Sequence, residues 1–264
     1  MSRYLYFLLI SIVLTSCSPF QKALKSEDIK YKYEIAEKMY EKKKYAKAIR
    51  LFEQIAPSYR GKPQAEKMFY MYAFSFYNTK QYYAAGYQFE NFSAGYPRSE
   101  KIEETSFLAA KSFYMLTPRY SLDQTDNYKA TDKLQNFINA YPNSQYMPEA
   151  NLLVKELREK IEKKYFEIAK QYNTIMDYKA AIKALDNFVI DYPGTPYKEE
   201  ALYYKFDSAY QLAINSVSSK MEERLQLAKS SYTALMKFNS GTKYKEQADD
   251  MLAKIDTELQ KFSK

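Results

Sequence analysis

The chain has no histidine, no tryptophan, one cysteine and only five glycines among 264 residues. Each shortage closes a class of chemistry. Without histidine there is no Ser–His–Asp or Cys–His arrangement, no imidazole ligand and no ordinary general base near neutral pH. The glycines stand singly, so no glycine-rich loop is available to cradle a phosphate. Acidic ladders with calcium-loop spacing are missing. Adjacent carboxylates occur as Glu103-Glu104 and Glu199-Glu200, but both pairs fall in the first turn of an expected helix, where negative charge suits the dipole. Catalysis is the disfavoured class, and no metal or diffusible cofactor is expected. Few glycines beside abundant Lys, Glu, Ala, Leu and Tyr also argue for helices and against a sheet sandwich.

No apolar run reaches the roughly 20 residues of a membrane-spanning helix. Tyr4 to Leu14 is a short uncharged run behind Arg3, with the dimensions of a signal peptide. It closes on Leu14-Thr15-Ser16-Cys17, which holds the only cysteine. This tetrapeptide resembles a bacterial lipobox: the Cys17 thiol takes diacylglycerol, cleavage falls between Ser16 and Cys17, and residues 1–16 leave. An ordinary secretory signal with a chance cysteine is the other reading. The covalent lipid on Cys17 is then the one attached group, and no thiol remains for a disulfide, a nucleophile or a metal. Net charge is +8 for the chain. Export removes nucleic acid as the partner of that basic balance, leaving anionic membrane surfaces or acidic proteins. Most lysines fall beside glutamates at helical spacing, as on solvated faces. Lys42-Lys43-Lys44 reads as a helix C-terminus. Residues 17–27 lack an apolar stripe and read as a lipidated tether.

The fold follows from an internal repeat. An aromatic or large residue is followed by alanine at +3, apolar residues at +7 and +10, and a stop at +14. Tyr45, Ala48, Phe52, Ile55, Tyr59 make the first copy. Copies two to five start at Tyr82, Asn127, Tyr178 and Leu225, the last degenerate. Offsets of 3, 7, 10 and 14 share one helical face. A partner helix precedes each copy, marked by Ala36, Ala73, Ala109, Ala169 and Ala209, with wedge aromatics at Tyr40, Tyr77, Phe113, Tyr172 and Tyr210. Three copies end Tyr-Pro-x-Ser/Thr, at Tyr96, Tyr141 and Tyr192, where proline stops one helix and the hydroxyl caps the next. Thr117 to Asp126 interrupts the third copy as an exposed loop, and Tyr244 to Phe262 reads as a capping helix. The small residue of the first helix and the Tyr-x2-Ala-x3-Phe of the second resemble tetratricopeptide repeats, which implies an all-α, right-handed superhelix of five helical hairpins with a C-terminal cap.

Tyrosines and phenylalanines crowd the second copy beyond what one stripe can bury. Any single member reads as repeat core, whereas the cluster reads as a groove that grips a peptide. Tyr70, Tyr72 and Tyr83 are the candidate peptide-binding aromatics. The Cys17 lipobox, the unit Ala36 to Tyr59 and the phrase Phe89-x2-Phe92-x3-Tyr96-Pro97-x-Ser99 together resemble the BamD family of outer-membrane lipoproteins, over nearly the whole mature chain. That resemblance implies a periplasmic scaffold of the β-barrel assembly machinery, lipid-anchored at the outer membrane. Residues 28–99 would meet unfolded barrel substrates, and residues 100–264 would hold the periplasmic domains of the barrel-forming assembly protein. Ser18-Pro19-Phe20 lacks acidic sorting signals, consistent with a periplasm-facing position. A cell-wall or other envelope scaffold with the same fold is the alternative.

Overall fold

The computed structural model describes residues 18–262. Ser16 and Cys17, with the cleavage and lipidation assigned to them, lie outside the described residues. Twelve helices and no strand occur among the described residues, in a tetratricopeptide-like repeat fold. The helices are α1 (Pro19–Lys25), α2 (Ile29–Glu41), α3 (Tyr45–Tyr59), α4 (Ala65–Asn78), α5 (Tyr82–Gly95) and α6 (Ile102–Tyr114). They continue as α7 (Thr125–Ala140), α8 (Met147–Thr174), α9 (Tyr178–Asp191), α10 (Lys198–Ile214), α11 (Ser218–Phe238) and α12 (Lys245–Leu259). Successive pairs from α2–α3 to α10–α11 are the five expected hairpins, and α12 caps them.

Packing divides the described chain into two compact bodies. The first holds residues up to Pro118 with Gln124–Val154; the second holds Arg119–Asp123 and the chain from Lys155 on. The division at residue 99 drawn from sequence concerned roles, and the packing boundary falls inside α8. In the first body the stripe residues Ala48, Phe52, Ile55, Ala85, Phe89, Phe92, Ala130, Leu134 and Phe137 are buried. In the second the same holds for Ala181, Leu185, Phe188, Leu225, Ala228 and Leu235. The partner-helix alanines Ala36, Ala73, Ala109, Ala169 and Ala209 are buried as well, as close helix approach requires. Gly86 does similar work, because a Cβ there would stand 3.1 Å from the Phe113 ring. Tyr210 is buried, but Tyr172, expected as a wedge, is exposed.

Hairpins one, two and four turn in the same way. Lys43, Lys80 and Met176 adopt left-handed φ values of 55°, 59° and 64°. The next residue's N–H returns to the carbonyl five back: Lys44 to Met39 at 2.8 Å, Gln81 to Phe76 at 3.0 Å and Asp177 to Tyr172 at 2.9 Å. These are Schellman closures, built here without the glycine that usually marks them.

Two expectations change in detail. Within the expected tether, Pro19–Lys25 is a helix whose Phe20 and Ala23 are buried; two apolar side chains suffice to dock it although they make no stripe. The third-hairpin loop ends where α7 begins at Thr125, and it is not free of the fold. Lys164 Nζ donates to the Leu122 carbonyl at 2.7 Å, and Lys163 Nζ lies 4.5 Å from the Tyr120 ring centroid.

A candidate peptide groove in the second hairpin

Each later stop builds the same small constellation. A Ser or Thr hydroxyl accepts the N–H two residues on: Lys101 N–H donates to Ser99 at 3.0 Å, and Tyr146, Tyr197 and Tyr244 N–H groups donate to Ser144, Thr195 and Thr242 at 3.3 Å. The hydroxyl therefore fixes the turn leading into the next helix, which starts one residue later, rather than capping that helix directly. Two of the hydroxyls also donate back into their own hairpin, Ser99 to Glu66 at 2.7 Å and Thr242 to Glu199 at 2.5 Å.

The residue that the hydroxyl holds then covers an aromatic ring of the hairpin's first helix. Tyr146 stacks on Phe107 at 4.9 Å, Tyr197 on Phe166 at 5.4 Å and Tyr244 on Tyr203 at 3.9 Å. The second hairpin alone among these four breaks the pattern. Lys101 occupies the tyrosine's place, with its ammonium 5.5 Å from the Tyr70 ring centroid. A thin aliphatic stem covers less of a ring than a phenol does, and a groove of about 750 Å³ opens there. Tyr40, Tyr70, Met71 and Phe92 supply its apolar wall, and its rim mixes Lys67, Arg98 and Lys101 with Glu37, Glu41, Glu66 and Glu100.

The charges around the groove are partly spent. Lys67 pairs with Glu37 at 2.5 Å and Lys101 with Glu104 at 3.2 Å. Arg98 is exposed and forms no ion pair among the described residues. Burial raises the Tyr70 phenol, with the Glu104 carboxylate adding to the rise. Burial, then Tyr45 and Glu104, push Tyr40 up to about 12. Both phenols stay neutral at physiological pH and can act as donors. The groove thus offers aromatic faces and an unpaired guanidinium at its edge. These suit an aromatic side chain beside a carboxylate.

The three aromatics singled out in the sequence do not share this groove. Tyr70 forms its wall. Tyr72 is buried and borders a separate cavity of about 620 Å³ with Arg60, Tyr87 and Tyr96. Tyr83 is 74% exposed and borders neither. Residues two apart on a helix point about 200° apart, so Tyr70 and Tyr72 face opposite sides of α4. Sequence reasoning passed over Lys101 and Arg98. Their signal was the contrast between Ser99-x-Lys101 and the Ser/Thr-x-Tyr of the other three stops.

The second body carries a different surface. Tyr165, Ile168 and Tyr172 follow one another at helical spacing along the end of α8, Ile175 stands in the turn directly after it, and all four are exposed. Between α8 and α9 a cavity of about 360 Å³ is lined by Tyr165, Ile168, Ala184 and Tyr192. A contiguous apolar strip of this kind marks an interaction surface in a folded protein. Among the described residues no helix is long and apolar enough to cross a membrane, and no group of acidic side chains is arranged to hold a metal ion.

A family model described as YfiO, outer membrane lipoprotein, matches residues 25–225. No curated protein matches the chain.

Proposed function

This chain belongs to the YfiO family of outer membrane lipoproteins, and from that premise we propose that it is a non-catalytic scaffold in the assembly and insertion of β-barrel proteins. A lipid on Cys17 holds it at the outer membrane, facing the periplasm. The groove of the second hairpin receives the C-terminal segment of an unfolded barrel substrate. The exposed strip on α8 receives the periplasmic domains of the barrel-forming assembly protein. The observation that carries the substrate role is the replacement of a tyrosine lid by Lys101, beside the unpaired Arg98. It leaves an aromatic-walled groove at whose mixed rim the Arg98 guanidinium is free to take a terminal carboxylate. An extended peptide ending in phenylalanine fits that chemistry, with its ring against Tyr70 and Tyr40 and its carboxylate toward Arg98.

Calorimetric titration of such a peptide against the mature chain tests the reading. Binding in the micromolar range, on the order of −8 kcal/mol, is expected, because ordering a flexible peptide offsets much of the contact energy. Amidating the peptide's C-terminus, or changing Arg98 to Gln, should weaken binding by about tenfold, the loss of one charge-assisted contact. Lys101→Tyr should restore the lid and abolish binding without lowering the melting temperature. Unchanged affinity in Lys101→Tyr would remove the groove from the function.

A further inference from the structure

The first body gathers unpaired cations around the point where its anchor would leave it. Ser18 alone stands between Cys17 and α1, and one residue spans at most about 3.6 Å. A lipid on Cys17 therefore brings the start of α1 to the level of the headgroups. The helix is docked: Phe20 and Ala23 are buried, and the Tyr31 hydroxyl donates to the Pro19 carbonyl at 3.5 Å. Lys47 Nζ and the Arg50 guanidinium of α3 lie 5.1 and 5.7 Å from the Phe20 ring centroid.

From Lys42 to Phe52 the chain holds Lys42, Lys43, Lys44, Lys47 and Arg50 and no carboxylate. With Lys22 and Lys25 of α1 these cations are exposed. Lys67, Lys101 and Lys111 hold Glu37, Glu104 and Glu149, whereas none of the seven forms an ion pair among the described residues. Glu41 and Glu53 bracket the run, and the nearby Asp28 is committed to capping α2 through the N–H groups of Lys30 and Tyr31. Helix stability does not account for the arrangement. Lys42 suits the C-terminus of α2, as the sequence suggested, but Lys44 is the N-cap of α3, whose first turn has no acidic residue. Cations there oppose the dipole.

We infer that this face of α1 and α3 lies against an anionic phospholipid surface, so that the lipid on Cys17 and the basic face together orient the first body at the membrane. The inference rests on the lipidation of Cys17. One acyl anchor sets height but not orientation, and stable attachment commonly joins a chain with a basic patch. Each cation near an anionic surface strengthens the attraction about fivefold, and the effect fades beyond a Debye length of about 8 Å at physiological salt.

The experiment reconstitutes the mature lipidated protein into vesicles of phosphatidylcholine, with or without phosphatidylglycerol. Flotation reports the anchor, and brief amine-reactive labelling read by mass spectrometry reports the face. Labelling of Lys44 and Lys47 should fall several-fold in the anionic vesicles, relative to the same protein in phosphatidylcholine alone, and recover in high salt. In a Lys44→Gln, Lys47→Gln, Arg50→Gln variant the protein should still float, and the labelling of Lys22 and Lys25 should no longer depend on lipid charge. A chain that floats with equal labelling in both vesicles overturns the basic face alone. A chain that does not float overturns the anchor, and the orientation with it.

Discussion

The alanine three residues into every stripe is fully buried in all five copies. No rotamer of a larger side chain fits such a position without moving backbone. Ala85→Leu and Ala181→Leu should each lower stability by about 1–3 kcal/mol, seen as a lower urea midpoint with unchanged slope. Equal midpoints for both variants would mean that the hairpins relax freely at these contacts. Three other residues sit under strain of the opposite kind. Lys43, Lys80 and Met176 occupy left-handed backbone, which costs a residue with a Cβ about 1–2 kcal/mol. Lys80→Gly and Met176→Gly should raise stability by up to about 1 kcal/mol, the relief being partly offset by the freer unfolded chain. The stripes were legible because burial on one helical face imposes a period. The turns were legible only as short gaps, because their usual marker, glycine, is absent from all three. At the groove, Tyr70 was found through aromatic crowding, which cannot tell one face of α4 from another. Tyr72 and Tyr83 were drawn in by the same crowding and point elsewhere.

Between residue and molecule, the repeated device is a hydroxyl at the end of a hairpin that ties back to a carboxylate at its beginning. Glu66 and Ser99 close the second hairpin, and Glu199 and Thr242 the fifth. These partners stand 33 and 43 residues apart, beyond any local sequence window, so the stops were readable as helix punctuation and their tie was not. The fourth hairpin has Glu162 seven residues before its alanine, as Glu66 precedes Ala73. Glu162 is buried, its Oε1 meets Arg158 Nε at 3.2 Å, and its Oε2 has no partner. The tie in the fifth hairpin gives a pH signature. The Thr242 hydroxyl, then the Asn239 amide, hold the Glu199 carboxyl below its ordinary value of 4.5. A carboxyl whose folded pKa is depressed contributes stability that is present above the unfolded value and is lost as pH falls through the folded one. Thr242→Val should lower stability at pH 7 by about 1 kcal/mol. It should also flatten the decline below pH 4.5, because less of the Glu199 contribution remains to be lost. Denaturation at neutral and acid pH checks both parts, and parallel curves for variant and parent would argue that the tie does not persist in solution.

For the molecule as a whole, five hairpins and a cap were readable from one repeated frame, whereas the packing boundary inside α8 was not. α8 continues unbroken through that boundary from Met147 to Thr174, and a helix carries no composition change where its neighbours change. The groove beside Tyr70 belongs to the first body and the apolar strip at the end of α8 to the second, and the proposed function gives each its own ligand. Sites that share no lining side chain should respond to mutation independently. Ile168→Asp with Ile175→Asp places charge on an exposed strip and changes no fully buried side chain, so stability should fall by no more than about 1 kcal/mol. Co-purification of the barrel-forming assembly protein from solubilised outer membrane should fall by tenfold or more, on the order of two desolvated apolar anchors. Affinity for the phenylalanine-ended peptide should not change. The reciprocal variant, Lys101→Tyr, should lose the peptide and retain the assembly protein. Loss of both ligands in either variant would show that the two bodies act as one recognition element, and the assignment of separate roles to them would fail.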